Sequence, residues 1–442
     1  MAFPFHVKEH KIASQHVREF PRATANSQED VLWLSVKQYT PVDNPEPQPG
    51  DVTIIGAHAN GFPKELYEAL WADLHAAARR HGFRIRGIWI ADVTNQGASG
   101  VANEAALGND PSWHDHPRDL LHLTNVFRHD MPRPIVGLGH SFGGNCLTQL
   151  ALLHPRLLTS LVLLDPVITK FTNRNAGAGV SPARSSTWRR DLWPSRQAAA
   201  DSFRKSPFYN AWDPRVLQSW IDHAIRDTPT ALFPESSQSS SGATLTTTKH
   251  QEVFTFFRPL WPALSPGGDG NNNGDVTISR AEAPDFDEDG QQGKISRDVS
   301  FPFYRSEGGW VLKRLPHVRP SVLWVFGEDS DLSTPEAQEL KLRTTGVGPG
   351  GSGGKPAGKV SSVVMPKMGH LFPMEVPGQC AEHAAAWIGT EMEAWREQER
   401  KYHEWTRQDL RAKSTLSDEF VKRVGPLPAR NKKKPAETSS KL

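Results

Sequence analysis

Residues 135–144 read Ile135-Val136-Gly137-Leu138-Gly139-His140-Ser141-Phe142-Gly143-Gly144. A short apolar run of the buried-strand kind ends in Gly-x-Ser-x-Gly, and a helix-compatible stretch over 145–153 follows at once. Strand, sharp turn and helix in immediate succession put the middle residue in a strained conformation and project its side chain above the sheet. Glycines two positions to either side let backbones pass where a Cβ would clash. Behind the turn, the helix start offers unpaired N–H groups and a positive dipole end to a developing negative charge. Ser141 is the candidate nucleophile.

The surrounding pattern supports the same architecture. Strand-like alternation covers 11–18 and 31–39, and the Pro-rich stretch 41–50 separates it from a buried-strand run at 52–57. Helical periodicity over 66–81 stops at Gly82, and a strand is expected at 85–91. A helix over 120–128 precedes the nucleophile strand, and another buried strand over 161–164 ends at Asp165-Pro166. Strands alternating with helices imply a mostly parallel sheet covered on both faces, here the α/β-hydrolase arrangement. Its first part is 1–167. From 168 to 315 the alternation stops, and Trp- and Arg-rich helical stretches at 186–205 and 214–226 suggest a mainly helical cap. The α/β rhythm returns over 316–392, with strands at 322–326 and 360–365 and a closing helix over 380–392. A charged helical extension and basic tail fill 393–442. The low-complexity stretches 346–358 and 265–293 are expected to be mobile loops.

A serine hydroxyl needs a base, and the base needs an orienting acid. Among 18 histidines, His370 alone follows a late core strand, precedes the closing helix and has a glycine directly before it. For the acid, Asp165 follows the strand after the nucleophile strand, while Asp329 and Asp331 follow the next one. In the usual Gly-x-x-Asp pattern after that later strand, the matching position here is Ser330. Neighbouring strands lie only about 4.8 Å apart, so an acid on either reaches the same imidazole. Asp165 is favoured, with Asp331 and then Asp329 as alternatives. The oxyanion donors expected are the N–H of Phe142 and, from the loop His58-Ala59-Asn60-Gly61-Phe62-Pro63, the N–H of Phe62. His58 is read as a support for that loop.

Composition narrows the class. With 51 Lys+Arg against 49 Asp+Glu the formal charge is +2, so no global field favours nucleic acid or an anionic membrane. The 37% hydrophobic content and 14 tryptophans suffice for a large core. Cys146 and Cys380 form no metal or redox motif and fit a reducing compartment. Residues 1–10 hold no apolar signal-peptide run, and no stretch of about 18 apolar residues predicts a membrane span. The last three residues, Ser440-Lys441-Leu442, form the tripeptide read by the peroxisomal import receptor, with Lys432, Lys433 and Lys434 just upstream, so the peroxisomal matrix is the expected location. Asp269, Asn271, Asn273, Gly274 and Asp275 imitate the start of a calcium loop. Arg280 stands where the bidentate acid belongs, Glu282 comes two residues late, and a second acidic run follows at Asp285, Asp287 and Asp289; a solvated acidic loop is favoured. His114, His116 and His122 lack metal spacing and read as packing residues. Neither metal nor cofactor is expected.

Several stretches resemble the fungal peroxisomal α/β-hydrolases of the toxin-biosynthesis type: residues 59–67 (Ala-Asn-Gly-Phe-Pro-Lys-Glu-Leu-Tyr), 91–97 (Ala-Asp-Val-Thr-Asn-Gln-Gly), 108–113 (Gly-Asn-Asp-Pro-Ser-Trp) and 139–144. Trp188-Arg189-Arg190-Asp191 and 205–209 in the cap are similar as well. The resemblance runs over 11–387, and the 265–293 insert is unusual for it. It implies a serine hydrolase with Ser141, Asp165 and His370 as triad. Ser141 argues against epoxide hydrolysis and dehalogenation, which need a carboxylate nucleophile, and leaves acyl transfer to water. Location and resemblance favour a small-molecule acyl-CoA thioester as substrate over the ester of a lipase or carboxylesterase.

Overall fold

The computed structural model describes residues 3–170, 182–235, 242–266, 276–286 and 303–427. Ser440, Lys441 and Leu442, the calcium-loop-like run at 269–275, and Asp287 and Asp289 lie outside them. The chain divides into two units, 1–392 and 393–442.

The first unit is built on an eight-stranded sheet: β1 (Phe5–Ala13), β2 (Trp33–Pro41), β3 (Val52–Ala57), β4 (Ile85–Ala91), β5 (Ile135–His140), β6 (Ser160–Leu164), β7 (Ser321–Gly327) and β8 (Val360–Met365), in the order β1-β2-β4-β3-β5-β6-β7-β8. β2 is antiparallel to both β1 and β4, and every pairing from β4 through β8 is parallel. Every residue of β3, β5, β6 and β7 is buried, which is why these strands read as unbroken apolar runs rather than alternating ones. Helices α1 (Glu68–Ala78), α2 (Asp115–Val126) and α3 (Phe142–Leu153) connect or flank them. Leu147, Leu150 and Ala151 of α3 share one core cluster with Ile55, Leu161, Leu163, Trp324 and Phe326. The first strand begins six residues earlier than the alternation at 11–18 suggested, because β1 pairs along its whole length with β2.

Between β6 and β7 the chain leaves the sheet, and the structure there is less helical than expected. The stretch 186–205 is two helices, Pro182–Trp188 and Arg196–Arg204, separated by the strand Leu192–Trp193 and Pro194; a proline lacks the N–H that a continuous helix would need. Leu192–Trp193, Ala243–Leu245 and Ile225–Asp227 form a small antiparallel sheet. Helices Pro214–His223 and α4 (Lys249–Phe256) complete the part nearest the site. The Gly-rich stretch 346–358 is also not the loose loop expected. Its amides bond back to Leu315, Pro316 and Val318 at 2.9, 2.8 and 3.1 Å, so its glycines serve close backbone packing.

The closing helix α5 runs Pro377–Thr406 and crosses into the second unit. That unit adds helices Leu410–Ser414 and Asp418–Val424, with Leu410, Val424 and Leu427 exposed.

Candidate active site

β5 ends at His140 and α3 begins at Phe142, leaving Ser141 alone in the turn at φ 56°, ψ −119°. For a residue with a side chain this region costs on the order of 1–3 kcal/mol, and it persists only where the surroundings enforce it. They do. The Ser141 N–H donates to Leu164 O at 2.9 Å, and its carbonyl accepts from Val167 N at 3.1 Å. A Cβ on Gly143 would lie 2.2 Å from Ala57 O, and one on Gly139 would lie 2.7 Å from Gly143 O, so both glycines of the motif are required by close backbone approach.

The chain-distant residues meet here. Ser141 Oγ lies 2.8 Å from His370 Nε2, and His370 Nδ1 lies 2.6 Å from Asp165 Oδ2. Facing a carboxylate, Nδ1 carries the proton and donates, so Nε2 is free to accept from the serine hydroxyl. Asp165 is fully buried at the end of β6, where its N–H bonds Val325 O of β7 at 2.8 Å. Burial pushes its carboxyl pKa up, yet hydrogen bonds and charge from His370, with hydroxyl donation from Ser330 and Ser333, hold it below the ordinary value. Ser330 Oγ donates at 2.5 Å, and Ser333 Oγ donates to the other oxygen.

Asp329 and Asp331 are exposed, and the His370 proton goes to Asp165 instead. Between them Ser330 turns inward, so the position that carries the acid in the usual pattern here supports an acid on the neighbouring strand. Buried Lys341 donates to Leu332 O of the same loop at 3.2 Å; burial lowers its pKa to about 8, and the nearby Asp165 charge opposes that. Ser330 was marked in the sequence only as the residue standing where the usual pattern has its acid, and Ser333 and Lys341 carried no signal that tied them to the site.

The expected oxyanion donors differ in state. Phe142 is the first residue of α3, where an N–H has no intrahelical acceptor. The Phe62 N–H already donates to Ala59 O at 3.2 Å, closing a turn through Gly61 at φ 82°. The Gly61-Phe62-Pro63 sequence permits a close turn here and Asn60-Gly61 is a turn signature, but neither shows that the turn engages the Phe62 N–H. His58 accepts from Val93 N at 3.0 Å and donates to Ala59 O at 2.8 Å, and burial lowers its pKa.

The stretches 59–67 and 91–97, which carry the family resemblance, prove to be two halves of one clasp. The Gly61 N–H donates to Gln96 Oε1 at 2.7 Å, Gln96 Nε2 donates to Asn60 Oδ1 at 2.8 Å, and buried Lys64 pairs with buried Asp92 at 2.7 Å. The inserted segment closes over this clasp. Asn60 donates to Glu252 O of α4 at 3.0 Å, Asn95 and Gln96 reach Thr255, and the Glu252 carboxylate takes Ser186 at 2.5 Å and Arg189. The Phe62 ring packs edge-on against Trp212 and Trp220 at 5.5 and 6.0 Å. His114 packs on Trp310 and His116 on Phe142, and no group of three or more metal-ligating side chains gathers among the described residues. No helix among them is long and apolar enough to cross a membrane.

Residues 54–383 match the model of the alpha/beta hydrolase family. The chain belongs to the α/β-hydrolase family. Over nearly its full length this hydrolase is similar to fungal proteins: it is 39% identical over 442 residues to the type I acyl-CoA thioesterase mpaH of Penicillium roqueforti (strain FM164), covering 96% of each chain. It is likewise 39% identical to the type I acyl-CoA thioesterase mpaH' of Penicillium brevicompactum, over 97% of this chain and 98% of that one. Among solved structures it shares its fold with the peroxisomal alpha-beta-hydrolase Lpx1 of Saccharomyces cerevisiae, with a TM-score of 0.62 at 17% identity over 94% of this chain and 99% of that one. The resemblance read from the motifs holds in these relatives.

Proposed function

We propose that this α/β-hydrolase cleaves acyl-CoA thioesters through an acyl-enzyme on Ser141. The observation that carries the reading is the continuous hydrogen-bond line Ser141–His370–Asp165, on a chain similar end to end to proteins named acyl-CoA thioesterases. Ser141 Oγ attacks the thioester carbonyl while His370 Nε2 takes its proton. Asp165 holds the ring in the required tautomer and stabilises the imidazolium. The Phe142 N–H receives the oxyanion, and the Phe62 N–H joins it by exchanging its long bond to Ala59 for the substrate oxygen. Collapse expels the CoA thiolate, which takes the proton from His370. Water then gives a proton to His370 and attacks the acyl carbon. Release of the carboxylic acid returns that proton to Ser141. All protons move between water, Ser141, His370 and the leaving thiol, so the cycle calls for no cofactor.

The segment 168–315 acts as the cap in this reading. It lays Trp212 and Trp220 against Phe62 and holds α4 over the clasp, which supports a role in choosing the acyl group. The address proposed is the peroxisomal matrix, through Ser440-Lys441-Leu442; a fluorescent fusion at the N-terminus should lose its punctate distribution when these three residues are removed. The function is tested by steady-state hydrolysis of a panel of acyl-CoA esters, with Ser141→Ala as control. Turnover that disappears in the variant is the expected result. A folded protein that ignores every CoA ester but hydrolyses glycerides or simple esters would overturn it in favour of an esterase.

A further inference from the structure

Two side chains outside the triad join both halves of the site. The Ala59 N–H, in the loop that carries Phe62, donates to Tyr67 Oη at 2.8 Å. Tyr67 Oη lies 2.9 Å from His140 Nδ1, and His140 Nε2 lies 3.1 Å from the backbone carbonyl of His370. Tyr67 and His140 are both buried, at 1% and 0% exposure. The direction of this chain follows from its ends. A carbonyl only accepts, so His140 Nε2 carries the proton. Nδ1 of a neutral ring must then accept, so the Tyr67 hydroxyl, its lone pair already taking the Ala59 N–H, donates to it. One tautomer and one hydroxyl rotamer satisfy every group.

We propose that Tyr67 and His140 are positioning residues, a directed hydrogen-bond chain that fixes the backbone of His370 and the oxyanion loop in register with each other. The geometry favours a neutral His140, since a second proton on Nδ1 would turn the tyrosine hydrogen away from its acceptor and would stand beside the His370 imidazole, whose ring centroid is 5.2 Å away. Burial first, and the neighbouring His370 second, lower its pKa to about 3. The titratable groups facing it are Tyr67, His370 and Asp165. The inference rests on the reading of His370 as the base acting on Ser141, but not on the identity of the acyl substrate.

A fluorophosphonate that labels an activated serine supplies a substrate-independent test, with the second-order labelling rate measured on the full chain against pH. Tyr67→Phe keeps the ring and removes only the hydroxyl; the rate should fall about 10-fold. His140→Ala should fall on the order of 100-fold, the size expected when a reacting group shifts by about 1 Å. His140→Gln, whose amide can still donate to the His370 carbonyl, should recover to within about 3-fold of wild type. The acid limb should keep its shape in Tyr67→Phe, because the burial that chiefly lowers the His140 pKa is unchanged. Labelling of Tyr67→Phe at the wild-type rate would overturn the inference, as would equal losses in His140→Ala and His140→Gln. Failure of the wild type itself to label would refute the catalytic reading of Ser141 instead, and only that reading's loss would take this one with it.

Discussion

The sheet and the segment inserted between β6 and β7 are stabilised in different ways. In β3, β5, β6 and β7 all side chains are buried, and β5 passes through the single residue Ser141 into a helix whose apolar face joins the same core cluster. The inserted segment has strands of two or three residues and leaves Trp188 at 83% exposure and Trp261 at 54%. It packs as small separate clusters, one around Phe203, Trp212 and Trp220 and one around Leu260, Phe286 and Tyr304, and polar pairs such as Arg226 with Glu104 and Arg258 with Asp110 tie it to distant parts of the chain. Burial of apolar area supplies cooperative, non-directional stability. Polar ties are directional and are lost one at a time.

The sharpest break of this comparison is at the acid. Asp165→Asn, seated in the sheet, should lower kcat by up to about 10⁴, and Asp331→Asn should leave it near wild type. The reverse order would move the acid to the β7 loop. Next in size is the buried pair under the clasp. Lys64→Met leaves the buried Asp92 carboxylate without its cation, with only the Lys64 and Ala98 backbone N–H groups still donating to it, and should cost about 3 kcal/mol in denaturant unfolding; a loss within experimental error would mean that the clasp is not held by this pair.

A third prediction concerns pH. His58, His116 and His140 are buried, and burial lowers the pKa of each. In the unfolded chain they protonate near 6.5, and the folded form excludes that proton. Their contribution is therefore complete above about pH 6.5 and is lost as pH falls toward the folded value, about 3 for His140, with a slope of up to about 1.4 kcal/mol per pH unit for each group. His140→Gln should flatten the fall in stability between pH 6.5 and 5; an unchanged slope would mean that His140 is not kept neutral by the fold. The smallest effect belongs to the insert: Trp188→Ala should change unfolding free energy by no more than about 0.5 kcal/mol, and a larger loss would show that the insert packs like the core.

The same contrast explains what the sequence disclosed. The strand–turn–helix at 135–153 specifies its structure locally, so Ser141 and the parallel sheet were legible. His370 was singled out by its place after a late strand, and Asp165 was favoured with Asp331 and Asp329 left open; the structure brings His370 and Asp165 into line with Ser141. Tyr67 and His140 lie within stretches singled out by pattern, yet nothing local says that a tyrosine in one faces a histidine in the other. Ser330 and Ser333 stabilise Asp165 across more than 160 positions, a pairing that periodicity does not encode. The insert was read as mainly helical from its Trp- and Arg-rich stretches at 186–205 and 214–226, and the short strands at 192–193, 225–227 and 243–245 form through tertiary pairing that local propensity does not report.

The central claim is that the chemistry passes through Ser141 on the sheet. It is tested most directly by rapid-quench intact-mass and peptide mapping of the wild-type protein during turnover of an acyl-CoA. The account predicts an adduct equal to the acyl group on the peptide containing Ser141, formed with release of one equivalent of CoA thiol. Steady turnover with no adduct, together with retained activity in Ser141→Ala, would contradict it.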